Sequence, residues 1–318
     1  MWLYLALAVL LYFVIRSYRE RQRVDNLREK YVFITGCDSG FGNQLARQLD
    51  AQGLRVLAAC LTQKGAQELE RLTSDRLKTT LLDVTSTESI EAATIWVKEC
   101  VGNKGLWGLV NNAGIAYPVS PNEWLTKEDY IKVLNVNLIG LIDVTLHMLP
   151  LVKKARGRVV NMSSIMGRLS TMGGGYCPSK YGVEAFSDSL RREIHPFGVS
   201  VAIIEPGYFR TSMTDIPKNL EILEQQWIKV PEEIKESYGR PYFDAFYEMF
   251  KYNLATRCCT DLYMVTDCMQ HALISKYPHT RYSAGWDSRW IFIPLSYLPT
   301  SITDFVLTRS SPKPAQAL

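Results

Sequence analysis

The sequence predicts an α/β fold in which one doubly wound parallel sheet is covered by helices on both faces. Short apolar runs alternate with amphipathic helical patterns from residue 31 to residue 207. The runs lack the polar alternation of a half-exposed strand, which is typical of parallel strands that are buried on both faces. Strict alternation of strands and helices favours parallel pairing through crossover helices.

The elements follow in chain order from hydrophobic periodicity and from the glycines and capping residues at their ends. Six strands are predicted, at 31–36, 54–61, 77–85, 106–114, 156–164 and 198–207. The helices between them begin near residues 41, 64, 86, 127 and 176. No internal repeat or low-complexity segment divides the pattern, so residues 29–318 are assigned to one domain.

Composition limits the class of protein. The chain has 318 residues, of which 47% are hydrophobic, so it can bury a sizeable core. Its net charge of +4 is modest, and no nucleic-acid partner is expected. Seven cysteines without a C-x-x-C pair and four scattered histidines predict neither a metal site nor a complete disulfide framework.

The N-terminus differs from the rest of the chain. Residues 1–15, MWLYLALAVLLYFVI, carry no charge, and Arg16, Arg19, Arg21 and Arg23 follow. No basic region precedes the segment and no small-residue cleavage site follows it, which argues against a removed signal peptide. We expect residues 1–23 to form a retained membrane anchor, spanning the bilayer or lying in one leaflet. A buried first helix of the globule is the alternative.

The turn after the first strand reads TGCDSGFG, and its glycines have G-x-x-x-G-x-G spacing. Such glycines let the backbone approach a pyrophosphate, which the N-terminus of the next helix stabilises. The position between a strand and a helix favours a dinucleotide site over a plain tight turn. The loop residues expected to bind the cofactor are Gly36, Asp38, Ser39, Gly40, Phe41 and Gly42.

The choice between the two nicotinamide dinucleotides depends on the end of the second strand. That strand ends at Cys60-Leu61-Thr62, without the carboxylate that usually binds the ribose hydroxyls of NAD. No arginine follows to bind a 2′-phosphate, although Lys64 is close in sequence, and Asp38 would repel such a phosphate. We therefore expect NAD, with NADP as the less favoured alternative.

Two later strand ends add candidate cofactor contacts. Asp83 ends the third strand, where a carboxylate could accept a hydrogen bond from the adenine amino group. The fourth strand ends in NNAG, in which Ala113 and Gly114 leave room for a cofactor. Asn111 could also bond across strands and hold the sheet ends together. Taken singly, each of these positions has a structural explanation as well.

The sequence GGGYCPSK places Tyr176 and Lys180 one helical turn apart, on one face of a helix. An ammonium within about 4–6 Å would favour the phenolate and lower the tyrosine pKa. Tyr176 could then act as a general base toward a substrate hydroxyl. Ser164, at the end of the fifth strand, is placed to hydrogen-bond the reacting oxygen and so also to contact the substrate. Without the other motifs, a solvated helical pair would be the better interpretation.

Together, these motifs resemble those of the short-chain dehydrogenase/reductase family. TGCDSGFG, NNAG, NVN, YCPSK and EPGYFRT occur in the family's order, over about residues 30–280. TRYSAGWD and the terminal PKPAQAL are similar to its microsomal retinol dehydrogenase and oxidative 3α-hydroxysteroid dehydrogenase subgroup. The resemblance implies a Rossmann-type fold and oxidation of a lipidic alcohol by NAD at the endoplasmic reticulum membrane. Retinol and 3α-hydroxysteroids such as androstanediol are the implied substrates.

The resemblance also implies roles for individual residues. The catalytic set would be Asn137, Ser164, Tyr176 and Lys180, with Asn137 holding a water behind Lys180 and Lys180 contacting the nicotinamide ribose. Ser163 fits the family's usual spacing to Tyr176 better, but the second serine of the pair usually has the role. The remaining cofactor contacts implied by the family are Pro206 and Gly207 beside the nicotinamide ring and Thr211 on its carboxamide.

The region 208–260 is expected to form a substrate lid. Phe243, Phe246, Tyr247 and Phe250 lie at helical spacing, as core packing or as a wall for an apolar ligand. The later segment WIFIPLSYLPTSITDFVL, broken by two prolines, predicts packing or membrane contact, not a second span.

Other functions were weighed against this one. A 17β-hydroxysteroid dehydrogenase or epimerase acting on androgens is the nearest alternative. A noncatalytic nucleotide-binding member of the fold and a structural membrane-associated protein are the others. The sequence leaves open retinoid against steroid preference, the retinoid isomer, the reaction direction and the side of the membrane. A homodimer is expected only by family analogy.

Overall fold

The computed structural model describes residues 2–317, so the outer limits of the anchor and of the domain, residues 1 and 318, lie outside the described residues. One seven-stranded parallel sheet forms the centre, with strand order β3-β2-β1-β4-β5-β6-β7. Its strands are β1 Tyr31–Thr35, β2 Arg55–Cys60, β3 Leu77–Leu81, β4 Gly108–Asn111, β5 Arg158–Met162, β6 Ser200–Pro206 and β7 Arg281–Ala284. The predicted Rossmann-type, doubly wound sheet is confirmed.

Helices cover both faces of this sheet. The first part of the chain supplies α1 Trp2–Arg21, α2 Gly40–Ala51, α3 Gln63–Arg71, α4 Thr87–Val101, α5 Lys127–Leu134, α6 Gly140–Ala155 and α7 Tyr176–Ile194. The second part supplies α8 Ile216–Lys229, α9 Glu232–Tyr238, α10 Arg240–Arg257, α11 Tyr263–Ile274, α12 Ile293–Leu295 and α13 Thr300–Thr308. The core accordingly has two layers, one on each side of the sheet.

The sequence predicted six strands, and the structure adds β7 at the sheet edge, within TRYSAGWD. This strand has only four residues, alternately buried and half-buried, and it exists by pairing with β6. A second difference is a π-helical turn at Asn135–Ile139, which interrupts the predicted helix between α5 and α6. Both features depend on packing, and local periodicity does not report them.

The N-terminal helix α1 lies outside the sheet layers. Its large apolar side chains, such as Trp2, Tyr4 and Phe13, are exposed. It therefore does not pack as a buried first helix of the globule. Its 20 residues extend about 30 Å, longer than the uncharged segment alone. Its C-terminal end contacts the domain, where the backbone carbonyl of Glu20 lies 3.1 Å from Nε2 of His271.

Within residues 2–317, the helical stretch Lys127–Ala155 has the length and apolar composition to cross a membrane. This stretch comprises α5, the π-helical turn and α6. It packs against α4, β4 and α7 and contributes Val144, Met148 and Val152 to the core. We therefore describe it as a core helix of the sheet flank.

Candidate active site

A cavity of about 450 Å³ lies along the carboxyl edge of the sheet. Asp83, after β3, lines one end, and Pro206, at the end of β6, lines the other. The cavity therefore crosses six neighbouring strands, or about 24 Å at the usual strand spacing. Its middle lies at β1 and β4, where the strand order reverses, which is the place where open α/β sheets bind their ligands.

The glycine-rich turn forms one wall of the cavity and is held close to the neighbouring strand. Gly36 has a φ of +70°, and a Cβ there would lie 2.8 Å from the Cα of Ala113. The side chain of Asn112 donates hydrogen bonds to the carbonyls of Thr35 and Gly36, at 2.9 and 3.0 Å. A larger residue at position 36 would force the turn and the strand end apart.

The N-terminus of α2 opens into the cavity beside this turn. Ser39, Gly40 and Phe41 line the cavity, and the first turn of α2 carries no acidic residue. A free helix N-terminus and a glycine turn together form the usual cradle for a pyrophosphate. The cavity thus fits a dinucleotide, because it has a backbone cradle in its middle and a cleft that extends to either side.

Asp38 lines the cavity next to the end of β2. Its carboxylate accepts hydrogen bonds from the backbone N–H of Leu61 at 2.8 Å and of Thr62 at 2.9 Å. The Thr62 hydroxyl donates a third at 2.7 Å. These bonds fix the carboxylate at the end of β2. Asp83, farther along, is exposed and accepts bonds from the backbone N–H and hydroxyl of Thr85.

At the other end of the cavity, Tyr176, Ser164 and Lys180 come together. Tyr176 is the first residue of α7, and it lines the cavity together with Ser164. Lys180, one turn later, is buried, and its Nζ lies 5.6 Å from the centre of the Tyr176 ring. That Nζ donates a 2.8 Å hydrogen bond to the Met162 carbonyl. Ser163 and Ser164 both line the cavity, and the choice of Ser164 as the catalytic serine stays a prediction.

The protonation of this trio differs from the expectation that Lys180 lowers the tyrosine pKa. Burial raises the pKa of Tyr176 to about 12, and Ser164 opposes this shift only in part. Burial lowers the pKa of Lys180 to about 8. Desolvation disfavours the charged form of both groups, and the ammonium is directed at a backbone carbonyl. The sign of the shift predicted for Tyr176 is therefore wrong in this structure.

Asn137 lies behind the trio, outside the cavity lining, in the π-helical turn. Its Nδ2 donates to the Ile115 carbonyl at 2.8 Å and to the Ser179 hydroxyl at 3.0 Å. Its Oδ1 accepts from the Ile115 backbone N–H at 2.8 Å. Asn137 therefore joins the loop after β4 to α7, next to Lys180. Its expected role in holding a water stays a prediction.

Three predicted cofactor residues do not line the cavity. Asn111 is buried and donates to Thr145 and to Asn161 on β5, so it ties the strands together but does not face a ligand. A Cβ at Gly42 would lie 2.4 Å from the Gly36 carbonyl oxygen, and one at Gly207 would overlap the Asp287 carboxylate. These glycines are needed for close backbone packing. The other predicted cofactor residues line the cavity: Gly36, Asp38, Ser39, Gly40, Phe41, Asp83, Ala113, Gly114, Tyr176, Lys180, Pro206 and Thr211.

Several lining residues were missed by the sequence analysis, among them Leu61, Thr62, Asn112, Ile115, Tyr117, Met213 and Lys218. The Nζ of Lys218 on α8 donates a 2.8 Å hydrogen bond to the Tyr117 hydroxyl, in the loop after β4. Their separation of 101 residues gives no local signal. The NNAG motif indicated the correct strand end, but Asn112 lines the cavity and Asn111 does not.

The predicted lid region consists of α8, α9, α10 and the preceding turn. The aromatic stripe on α10 packs around Trp124 and Trp227; for example, Phe243 stacks on Trp227 with ring centres 5.0 Å apart. No member of the stripe lines the cavity. The core-packing interpretation is therefore correct, and the ligand-wall interpretation is wrong.

Together, the parallel sheet and the Tyr176–Ser164–Lys180 trio in a dinucleotide-shaped cavity define a nucleotide-dependent oxidoreductase. Residues 30–219 match the family model described as short chain dehydrogenase. The chain belongs to the short-chain dehydrogenase family. It is accordingly a short-chain alcohol dehydrogenase that acts on a small alcohol with a nicotinamide dinucleotide as cofactor.

Full-length relatives and solved structures agree with this assignment. The chain is 65% identical to 17-beta-hydroxysteroid dehydrogenase type 6 of Homo sapiens over 318 residues, covering 100% of both proteins. It is 61% identical to retinol dehydrogenase 7 of Rattus norvegicus, again over 100% of both. A short-chain dehydrogenase from Streptomyces avermitilis superposes with a TM-score of 0.66 at 25% identity, covering 87% of this chain and 96% of that one. A Burkholderia phymatum short chain dehydrogenase/reductase in complex with NAD gives 0.68 at 18% identity, over 91% and 98%.

Proposed function

We propose that this protein oxidises the hydroxyl of lipidic alcohols, retinol and 3α-hydroxysteroids such as androstanediol, to retinal or the ketosteroid, with NAD as the cofactor. The observation that carries the proposal is the presence of Tyr176, Ser164 and buried Lys180 together at one end of the cavity, with the Lys180 Nζ 5.6 Å from the centre of the Tyr176 ring. Full-length similarity to proteins named for steroid and retinol dehydrogenation supports the substrate class. The apolar side chains of Ile115 and Met213 in the lining suit a lipidic substrate.

In the proposed reaction, Tyr176 takes the hydroxyl proton as general base, and Ser164 hydrogen-bonds the same oxygen. Lys180 would stabilise the phenolate by turning from the Met162 carbonyl, its partner in this structure, toward the phenol and the nicotinamide ribose. The bound nicotinamide supplies the hydride acceptor. Asn137 supports the trio from behind through its bonds to Ile115 and Ser179. Pro206 lines the nicotinamide end with Thr211, the proposed carboxamide partner.

The preference for NAD over NADP is proposed from Asp38. Its carboxylate is fixed at the end of β2 by three hydrogen bonds, next to the expected position of the 2′-oxygen. A 2′-phosphate there would place like charges close together in a partly desolvated cleft. Lys64 cannot offset this repulsion well, because its side chain is exposed and paired with Glu68.

We further propose attachment to the endoplasmic reticulum membrane through α1, whose exposed apolar side chains would be buried by lipid. The arginines near its C-terminal end suit the interface with anionic headgroups. A homodimer is proposed by family analogy alone.

A substrate panel tests the proposal. All-trans-retinol, 11-cis-retinol and androstanediol are each offered with NAD and with NADP, and androgens with a 17β-hydroxyl test the alternative 17β-hydroxysteroid dehydrogenase activity. We expect turnover of retinol and androstanediol with NAD. Comparable rates with NADP would contradict the cofactor choice, and no turnover of any lipidic alcohol would contradict the substrate class.

A further inference from the structure

Glu184 is a buried carboxylate on α7, one helical turn beyond Lys180. Its Oε2 accepts a hydrogen bond from Arg281 on β7. Its Oε1 and the nearby Ser163 hydroxyl are buried without hydrogen-bond partners among residues 2–317. Gly167 separates the two: a Cβ there would lie 2.7 Å from the Ser163 Oγ and 2.9 Å from the Glu184 Cγ. A buried carboxylate next to a proposed catalytic lysine calls for an explanation beyond packing.

Arg281 joins Glu184 to the strand that enters the active site. Its guanidinium contacts Glu205 of β6 at 3.2 Å and Asp188 of α7 at 3.0 Å. Glu205 also pairs with Arg168 at 3.1 Å, in the loop that follows Ser164. We call the five residues Arg168, Glu184, Asp188, Glu205 and Arg281 the charge network.

The charge network has three carboxylates and two guanidinium groups, and Asp188, its most exposed carboxylate, also pairs with Arg191 at 3.2 Å. Lys180 is the buried cation adjacent to it, and its own hydrogen bond goes to an uncharged carbonyl. The Oε1 of Glu184 is buried without a hydrogen-bond partner among residues 2–317, and a buried charge that is left uncompensated is costly, so this carboxylate and the Lys180 ammonium stabilise each other. Glu184 is the member that shares a helix turn with Lys180.

We propose that Glu184, held in place by Arg281, is a positioning residue that keeps Lys180 in its charged form during catalysis. This inference rests on the proposed role of Lys180 at the active site. The negative charge of Glu184 raises the pKa of Lys180, against the larger lowering by burial. Burial and Glu205 raise the pKa of Glu184, whereas Arg281 lowers it. The groups that face Glu184 are Lys180 and Asp188 on α7, Ser163 after β5, Arg168 in the following loop, Glu205 on β6 and Arg281 on β7.

The test is the pH profile of Glu184→Gln in the full chain, measured as kcat/KM for androstanediol oxidation with NAD. Without the carboxylate, Lys180 loses its proton at lower pH. The alkaline limb of the profile, where kcat/KM falls as pH rises, therefore shifts to lower pH by roughly one unit. Asp188→Asn is the matched control, because Asp188 also binds Arg281 but lies two turns from Lys180. We expect its limb to stay at the wild-type pH. Glu184→Asp keeps the negative charge, so we expect its alkaline limb to lie close to the wild-type pH.

An unmoved limb in Glu184→Gln, or equal shifts in Glu184→Gln and Asp188→Asn, would overturn the proposal. If Glu184→Gln does not fold, Glu184→Gln combined with Arg281→Gln replaces the ion pair by two amides. Its limb also moves down, since the carboxylate is nearer to Lys180 than the guanidinium, and an unmoved limb again contradicts the proposal. The pH dependence of NADH affinity, read by fluorescence, is measured in parallel. The pH dependence of NADH affinity tests the role of Glu184 without any alcohol turnover. If the wild type turns over no alcohol in the panel, that result contradicts only the proposed substrates.

Discussion

Replacing Lys180 by methionine is predicted to stabilise the protein while it abolishes turnover. Burial lowers the pKa of Lys180 from 10.5 to about 8, so keeping the ammonium charged in the fold costs about 3 kcal/mol. Methionine has a similar length and no charge, but it leaves the Met162 carbonyl without its 2.8 Å hydrogen bond, which offsets about 1 kcal/mol. The net gain is about 2 kcal/mol near pH 7, or roughly 4 °C in Tm for a domain of this size.

The gain depends on pH in a defined direction. Between pH 8 and about 10.5 the unfolded chain keeps the Lys180 proton and the folded chain releases it. The unfolded state therefore binds more protons, and the stability of the wild type rises with pH across this window. Lys180→Met lacks this titration, so its advantage over the wild type is largest below pH 8 and disappears toward about pH 10.

Thermal unfolding of both proteins at about pH 7 and about pH 10 measures the effect. Lys218→Met is the matched control, since Lys218 lines the same cavity but is exposed, and such substitutions usually change stability by less than about 0.5 kcal/mol. A Tm of Lys180→Met below that of the wild type near pH 7 would refute the reasoning. So would a gain that does not change with pH.

Four further substitutions test the site. Ser164→Ala is expected to lower kcat by about 10²–10³, whereas Ser163→Ala changes it little, and steady-state rates of the two decide which serine faces the substrate. Asp38→Asn is expected to raise kcat/KM with NADP relative to NAD by about tenfold or more, because it removes a like charge; an unchanged ratio would exclude Asp38 as the discriminating residue. Gly42→Ala is expected to lower both Tm and nucleotide affinity, because its Cβ would meet the Gly36 carbonyl at 2.4 Å, and calorimetry of folding and binding would detect either effect. A Gly42→Ala protein with wild-type affinity would show that the turn adjusts without cost.

The parts of the fold that follow from local patterns could be predicted from the sequence. Strands β1, β2, β4, β5 and β6 are buried along almost their whole length, and Tyr176, Lys180 and Ser164 are placed by helix spacing and by a strand end. The edge strand β7 was missed because four residues of mixed exposure have no pattern apart from their pairing with β6.

The electrostatics of the site could not be predicted in the same way. The lysine–tyrosine spacing gave the right neighbours but the wrong sign for the Tyr176 pKa, because the degree of burial is set by tertiary packing. The choice between Asn111 and Asn112 depended on which side of a strand end each residue faces. Glu184 gave no signal, because its partner Arg281 is 97 residues away on the missed strand.

The central claim is that the Tyr176 hydroxyl, in the cavity that Ser164 and Lys180 also line, takes the proton of the alcohol. Single-turnover oxidation of androstanediol by Tyr176→Phe tests it most directly, with NADH binding as the control for an intact cavity. The account predicts loss of turnover by at least about 10²-fold with NADH affinity retained. Wild-type turnover in a protein that has only a phenyl ring at position 176 would contradict it.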